Sequence, residues 1–289
     1  MKNFLEYSLF LILAGIVRLL GLKISRRLSV IIAVIFYYII PIRKQVTLKN
    51  LHKAFPEYSE KKIKEIAFGS YKSFSITLVE ILFIPFMTRE QIENSVYCEN
   101  VELVKKYYER NTGLIVLSGH FGNWEYIALS VSAKINVPFH VVVKSQRNPY
   151  VDAYLNRGRT RWINKIVPLG ASIRKIYSEL KAKNIIAMVA DQRGPQEGMR
   201  INFLGLQSSI YPGPAMLAIK TGAPILYGLT IRQPDYSYTA HISEISTENL
   251  PAEEEKQIQE VSQRHMALLE SVIRKHPEQW LWMHNIWKY

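Results

Sequence analysis

A chain of 289 residues with 48% apolar side chains can build one large domain, or a domain with a small appendage, and nothing in its composition suggests disorder. Its lone cysteine, Cys98, excludes an intrachain disulfide framework and fits a reducing compartment. A formal net charge of +13 favours an anionic partner, whether nucleic acid, an anionic membrane surface or a phosphorylated or acidic substrate.

The first predicted element is Phe4 to Leu22, apolar apart from Glu6, Ser8 and Arg18. As a helix it would reach about 28 Å, close to the ~30 Å hydrocarbon core of a bilayer. Glu6 and Arg18 lie near its ends, where long side chains can snorkel. A cleaved signal peptide fits less well, because the front is barely basic and no small-x-small site follows. Lys23, Arg26, Arg27, Arg43, Lys44, Lys49 and Lys53 come after the stretch and only Lys2 before it, so the positive-inside rule puts the body in the cytoplasm. A second apolar stretch, Leu28 to Ile42, is short for a span and suits an interfacial or core helix. Both stretches can also be read as core helices of a soluble protein; membrane attachment is the favoured reading.

Pro41 to Val96 reads mostly helical. Ser59 is a cap signal, Ile63, Ile66, Ala67, Tyr71 and Phe74 repeat at helical spacing, and Pro85 ends or bends the helix. From about Asn100, short β-rich runs alternate with amphipathic segments. The predicted strands are Leu114–Leu117, Phe139–Val143, Ile166–Pro168, Ile185–Ala190, Ile225–Ile231 and Tyr238–Ile245. Between them lie predicted helices at Trp124–Lys134, Pro149–Ile163, Ile173–Ala182, Pro212–Lys220 and Ala252–Lys275. The alternation predicts an α/β domain with a central, mostly parallel mixed sheet flanked by helices, and an antiparallel pair at one edge. The expected division is a membrane anchor and interfacial helix over 1–45, a helical region over 46–98 and a catalytic domain over 99–289.

In such sheets ligands gather at the carboxyl ends of the strands, where His120, Lys144 and Asp191 each fall. The spacing His-x-x-x-x-Glu occurs three times, at His52/Glu57, His120/Glu125 and His265/Glu270, and by itself says little. Context separates them. His265 and Glu270 share a predicted helix, where five residues turn the side chains apart. His52 and Glu57 flank Pro56 in a polar connection. His120 precedes its helix, so it can fold back over the first turn toward Glu125, with Gly119 and Gly122 leaving room for substrate. Glu125 would then fix the imidazole tautomer of a general base. A satisfied histidine in a polar turn is the plainer alternative. Ser118 lacks the G-x-S-x-G elbow, so a covalent serine enzyme does not fit. No histidine shows metal-ligand spacing with cysteines. The basic residues are dispersed and no nucleic-acid module is present in the sequence, which disfavours nucleic acid as a partner.

"LSGHFGNWE" resembles the HX4(D/E) block of the bacterial lipid A biosynthesis acyltransferases, the late lauroyl/myristoyl type. Blocks at Arg43–Ser59, Lys144–Arg161, Ala187–Gly194, Ile201–Leu226 and Pro277–Lys288 are similar in the same order, so the resemblance covers nearly the whole chain. It implies a glycerolphosphate-acyltransferase-like fold and transfer of an acyl chain from acyl carrier protein, or acyl-CoA, to a glycolipid hydroxyl at the cytoplasmic face of the inner membrane. No cofactor is implied. His120 would be the base and Glu125 its partner. Arg159 would meet acceptor phosphate or the oxyanion, with Arg161 close by, and Asp191 would anchor that arginine. Asn123, Lys144, Arg161 and Gln192 would contact substrate. The alternatives are another lipid acceptor, such as a phosphatidylinositol mannoside or an aminolipid, a lipid or thioester hydrolase, and a non-catalytic lipid-binding protein. One departure is "HNIWK" at the C-terminal end, where many members read close to HRRWK; Asn285 and Ile286 replace two cations, which bears on the acceptor rather than on the reaction. Trp280, Trp282 and Trp287 suit either a membrane interface or the core.

Overall fold

A computed structural model describes residues 1–169 and 173–289. The chain opens with α1 (Lys2–Val34), a π-helical turn at Ile35–Ile39, α2 (Lys44–Ala54) and α3 (Glu60–Phe83). The Ser59 hydroxyl caps α3 by accepting the Lys62 amide, and Pro85, in a 3-10 turn, stops it. Three short elements follow: α4 (Arg89–Glu93), β1 (Tyr97–Cys98) and α5 (Glu102–Tyr108). Then β2 (Leu114–Ser118), α6 (Trp124–Ile135), β3 (Phe139–Val143), α7 (Pro149–Arg159), β4 (Lys165–Pro168), α8 (Ile173–Lys181) and β5 (Ile185–Val189) alternate. A hairpin of β6 (Met199–Phe203) and β7 (Leu206–Ile210) precedes α9 (Gly213–Thr221), β8 (Ile225–Arg232), β9 (Tyr238–Ile245) and α10 (Glu254–Lys275).

Seven strands form one sheet in the order β1-β9-β8-β2-β5-β3-β4. Every neighbouring pair is parallel except β8 and β9, so the fold is α/β with a mostly parallel mixed sheet. The antiparallel pair lies one strand in from the edge, because β1 adds itself outside β9. The central strands β2 and β5 read as continuous apolar runs because helices cover both their faces. One core cluster joins Tyr37, Leu51 and Tyr71 of the N-terminal helices to Leu117, Ile186, Tyr227 and Leu269 beneath the sheet. Tyr126 and Leu129 of α6 pack on the opposite face with Ala187 and Leu226. Trp280, Trp282 and Trp287 are 2, 0 and 5% exposed, which makes them core aromatics rather than interfacial ones.

Two features of the turn between β2 and α6 set the site. Gly122 has φ +54°, and a Cβ there would meet the Thr230 carbonyl oxygen at 2.1 Å, so this turn passes too close to β8 for any side chain. The backbone carbonyl of Gly122 in turn accepts from the Thr77 hydroxyl of α3 at 2.7 Å. Gly122→Ala combines backbone strain with a main-chain clash and is expected to lose about 3 kcal/mol or more of stability. Thermal unfolding of the purified protein measures it, and an unchanged Tm would contradict this packing.

Candidate active site

The carboxyl edge of the sheet is built by register. In the parallel pairing of β2 with β5, Ser118 lies opposite Val189. Two residues beyond each, the chain places His120 and Asp191 side by side. The Asp191 carboxylate takes both available donors of the histidine: Oδ1 meets Nδ1 at 2.6 Å and Oδ2 accepts the His120 backbone N–H at 2.6 Å. The Trp280 indole donates to the same Oδ2 at 2.9 Å. Trp280 is delivered by the C-terminal segment, which pairs with the turn through Leu281 N–H to the His120 carbonyl at 3.1 Å and Gly122 N–H to the Gln279 carbonyl at 3.1 Å. With Nδ1 held, Nε2 is the remaining ring nitrogen, on a side chain 20% exposed. The Trp124 ring packs edge-on against the imidazole, centroids 5.0 Å apart.

The expected partnership of carboxylates is therefore exchanged. Glu125 makes no hydrogen bond to His120; it is the partner of Arg159 instead. Arg159 Nη2 donates to Oε1 at 2.6 Å, and Nε lies 3.2 and 3.0 Å from the two oxygens. Asp191, expected to anchor the arginine, holds the histidine. The physical reason lies in the cap of α6. Asn123 accepts the Glu125 and Tyr126 amides on its side-chain oxygen, which fixes the first turn, and Glu125 then reaches across to the last turn of α7. Arg159 Nη1 also donates to Asn156 at 3.0 Å, so these bonds use three of its five N–H groups. Both members of the pair are largely buried, at 14 and 10% side-chain exposure.

Electrostatics follow from this geometry. Burial is the largest influence on His120 and favours its neutral form, but the charge and hydrogen bond of Asp191, with the charge of Glu125, outweigh it and set the imidazole above its ordinary pKa. Burial works against the Asp191 anion too, yet His120 and the Trp280 indole hold that carboxyl below the usual range. Two other histidines lie within its field. Burial pulls His265 and His284 down to about 4, the opposite direction from His120.

Asn123, expected at the substrate, is fully buried, and beyond its capping bonds its Nδ2 donates to Glu80 at 2.8 Å, so both ends of its amide are engaged in shaping the turn. Lys144 is exposed just past β3, on the same edge as the pair, and Gln192 is exposed beside Asp191. Arg161 is exposed, with its guanidinium over the Trp162 ring at 5.6 Å. Sequence reasoning missed Glu80, which is fully buried in α3 and bridges Arg26 (2.7 Å), Asn123 and the Tyr238 hydroxyl (2.6 Å). A lone carboxylate inside the apolar run "SITLVEILF" was its signal. Ile286, in place of a cation, is 1% exposed and belongs to the core.

This is an α/β enzyme fold with a carboxylate-held histidine and an arginine–glutamate pair along the carboxyl edge of its sheet. The sequence profile of the bacterial lipid A biosynthesis acyltransferases matches residues 2–289, so the chain belongs to that family and is an acyltransferase. Similar proteins include the lipid A biosynthesis palmitoleoyltransferase of Escherichia coli K12, 23% identical over 251 residues, covering 85% of this chain and 79% of the relative. The lauroyltransferase of the same organism is 22% identical over 255 residues, with the same coverage, and a lipid A biosynthesis acyltransferase of Shigella flexneri is 23% identical over 251 residues.

A histidine that acts as a base must be neutral, so for such a role at His120 kcat/KM is expected to fall as pH drops through its raised pKa. Glu125→Gln removes one of the anions that raise it, so the acid limb of the kcat/KM profile is expected to move to lower pH. A limb that stays in place or moves upward would contradict the electrostatics described here.

Proposed function

We propose that this acyltransferase moves a fatty acyl chain from an acyl carrier protein thioester to a hydroxyl of a glycolipid such as a lipid A precursor, at the cytoplasmic face of the inner membrane, with His120 as general base. The observation that carries the reading is the Nδ1–Asp191 bond, which leaves Nε2 free toward the edge of the sheet. In the forward step the acceptor O–H gives its proton to Nε2 while its oxygen bonds to the thioester carbonyl carbon. The tetrahedral oxyanion then re-forms the carbonyl, the C–S bond breaks, and the imidazolium returns the proton to the departing thiolate. Asp191 stabilises the imidazolium in between, which is the role its position supports. Arg159, braced by Glu125, keeps two N–H groups for an acceptor phosphate or the oxyanion. The family and the printed names of the relatives support a lipid A precursor as acceptor.

The positive surface suits the acidic carrier and acceptor phosphates. Lys144, Arg161 and Gln192 are exposed near the ends of β3, α7 and β5, and Arg147, just before α7, and Arg157, on it, add further exposed charge. Residues 1–42 supply the membrane contact, through apolar side chains that stay exposed on α1 and the turn after it.

Labelled acyl carrier protein thioester mixed with a lipid A precursor and the detergent-solubilised protein tests the reading. Label is expected on the lipid, and His120→Ala is expected to reduce the rate by ~10²–10⁴-fold, the usual contribution of a placed general base. Free fatty acid as the sole product, or a folded His120→Ala variant at full rate, would overturn it.

A further inference from the structure

Residues 1–42 meet the folded body at three places along their length, and this constrains how they can meet a bilayer. At the start, the Asn148 side chain donates to the Asn3 carbonyl at 2.7 Å and Arg147 pairs with Glu6 at 3.1 Å. Tyr7 stacks on Tyr150 with centroids 5.4 Å apart, and Phe10 meets Tyr154 at 5.0 Å. In the middle, Arg18 lies over the Phe86 ring and Arg26 pairs with Glu80. At the end, the Tyr71 hydroxyl donates to the Ile42 carbonyl.

Within that middle stretch, between Arg18 and Arg26, the helix bends. Gly21 sits at φ 71°, ψ 165°, and the Ser25 hydroxyl lies 3.3 Å from the Val17 carbonyl oxygen. In a straight helix, eight residues of rise would separate them by about 12 Å. The bend keeps both arms on the surface of the body. Small or slim side chains face inward, Ala14, Val17, Ser25, Ser29 and Ala33. The outward face carries Leu9, Ile12, Leu19, Ile24, Ile31 and Ile39, all exposed and, among the described residues, covered by nothing.

A membrane-spanning first arm would separate Asn3 from Leu20 by about 25 Å along the bilayer normal. The segment that opens α7 would then have to follow Asn3 across the hydrocarbon, with the Arg147–Glu6 pair and the largely exposed Arg147 guanidinium. That transfer is prohibitive for charged groups. The exposed face also has the composition of a surface-lying element. Residues 1–45 hold seven cations and one carboxylate, Glu6, which is already paired. Lys2, Arg18, Lys23, Arg27 and Arg43 are exposed around the apolar side chains, where they would meet anionic head groups.

We propose that α1 and the turn after it form a bent, in-plane membrane anchor that dips into one leaflet of an anionic bilayer and does not cross it, so that residues near Lys2 stay on the same side as the catalytic body. The proposal rests on the membrane contact of the preceding section and replaces the single span expected from the length and charge bias of Phe4–Leu22.

Lys2→Cys and, separately, Tyr289→Cys are expressed in the full chain, where the only other cysteine, Cys98, is buried. Each is treated with a membrane-impermeant maleimide in right-side-out spheroplasts and in inside-out inner-membrane vesicles. Both variants are expected to react in the same preparation and not in the other. Reaction of Lys2→Cys in the opposite preparation from Tyr289→Cys, or in neither, overturns the in-plane anchor while leaving membrane residence intact. Recovery of the protein in the soluble fraction, as a monomer or with a second copy covering the apolar face, overturns membrane residence itself and the anchor with it.

Discussion

The parallel register of β2 against β5 is the constraint on which the rest of the site depends. It places the residues two past each strand end beside one another, so that one carboxylate accepts both the ring and the backbone N–H of His120. A buried Asp191 anion is tolerable there because three donors surround it, the third being the Trp280 indole. Those bonds fix the imidazole with Nδ1 inward and Nε2 outward. They also offset the cost of burial and make proton uptake easier than at an ordinary buried histidine. The charge of the neighbouring Glu125 acts in the same direction.

Behind that turn lies a buried polar relay that joins the N-terminal helices to the catalytic edge. Glu80 links Arg26 of α1, Asn123 at the cap of α6 and Tyr238 of β9. Arg232 of β8 donates to the Tyr238 hydroxyl at 2.6 Å and to Thr77 of α3 at 2.7 Å, closing the network. Removing Arg26 would leave the buried Glu80 carboxylate without its charged partner in α1, a loss on the order of 3–5 kcal/mol. The same helix α3 packs Val79 and Leu82 against Ala14 and Val17 of α1. The helix that carries the exposed apolar face and the turn that carries the histidine thus rest on one common support.

Much of this was legible in the sequence. The central strands stand out because strands covered on both faces must be apolar throughout, and Phe139–Val143 and Tyr238–Ile245 fall where they were expected. The β6–β7 hairpin was not, because its strands mix Arg200, Asn202, Gln207 and the two serines with apolar residues, and its turn places Leu204 at φ 52° without a recognisable turn dipeptide. The exchange of carboxylates was out of reach for a deeper reason. A strand pattern tells which residues face inward, but not which residue of a distant strand lies opposite, and it is that pairing which gives Asp191 to His120. Likewise, three tryptophans near the C-terminal end read the same whether they enter a core or a membrane; their burial, with Trp280 paired to Phe121, shows that they pack inward.

The most direct measurement is the proton spectrum of the protein with its histidine side chains labelled with ¹⁵N. A proton on His120 Nδ1 shared with a buried carboxylate is expected well downfield of the ordinary imidazole N–H signals, to persist in Glu125→Gln and to vanish in Asp191→Asn. A downfield signal that survives Asp191→Asn and is lost in Glu125→Gln would contradict the assignment of Asp191 as the partner of His120.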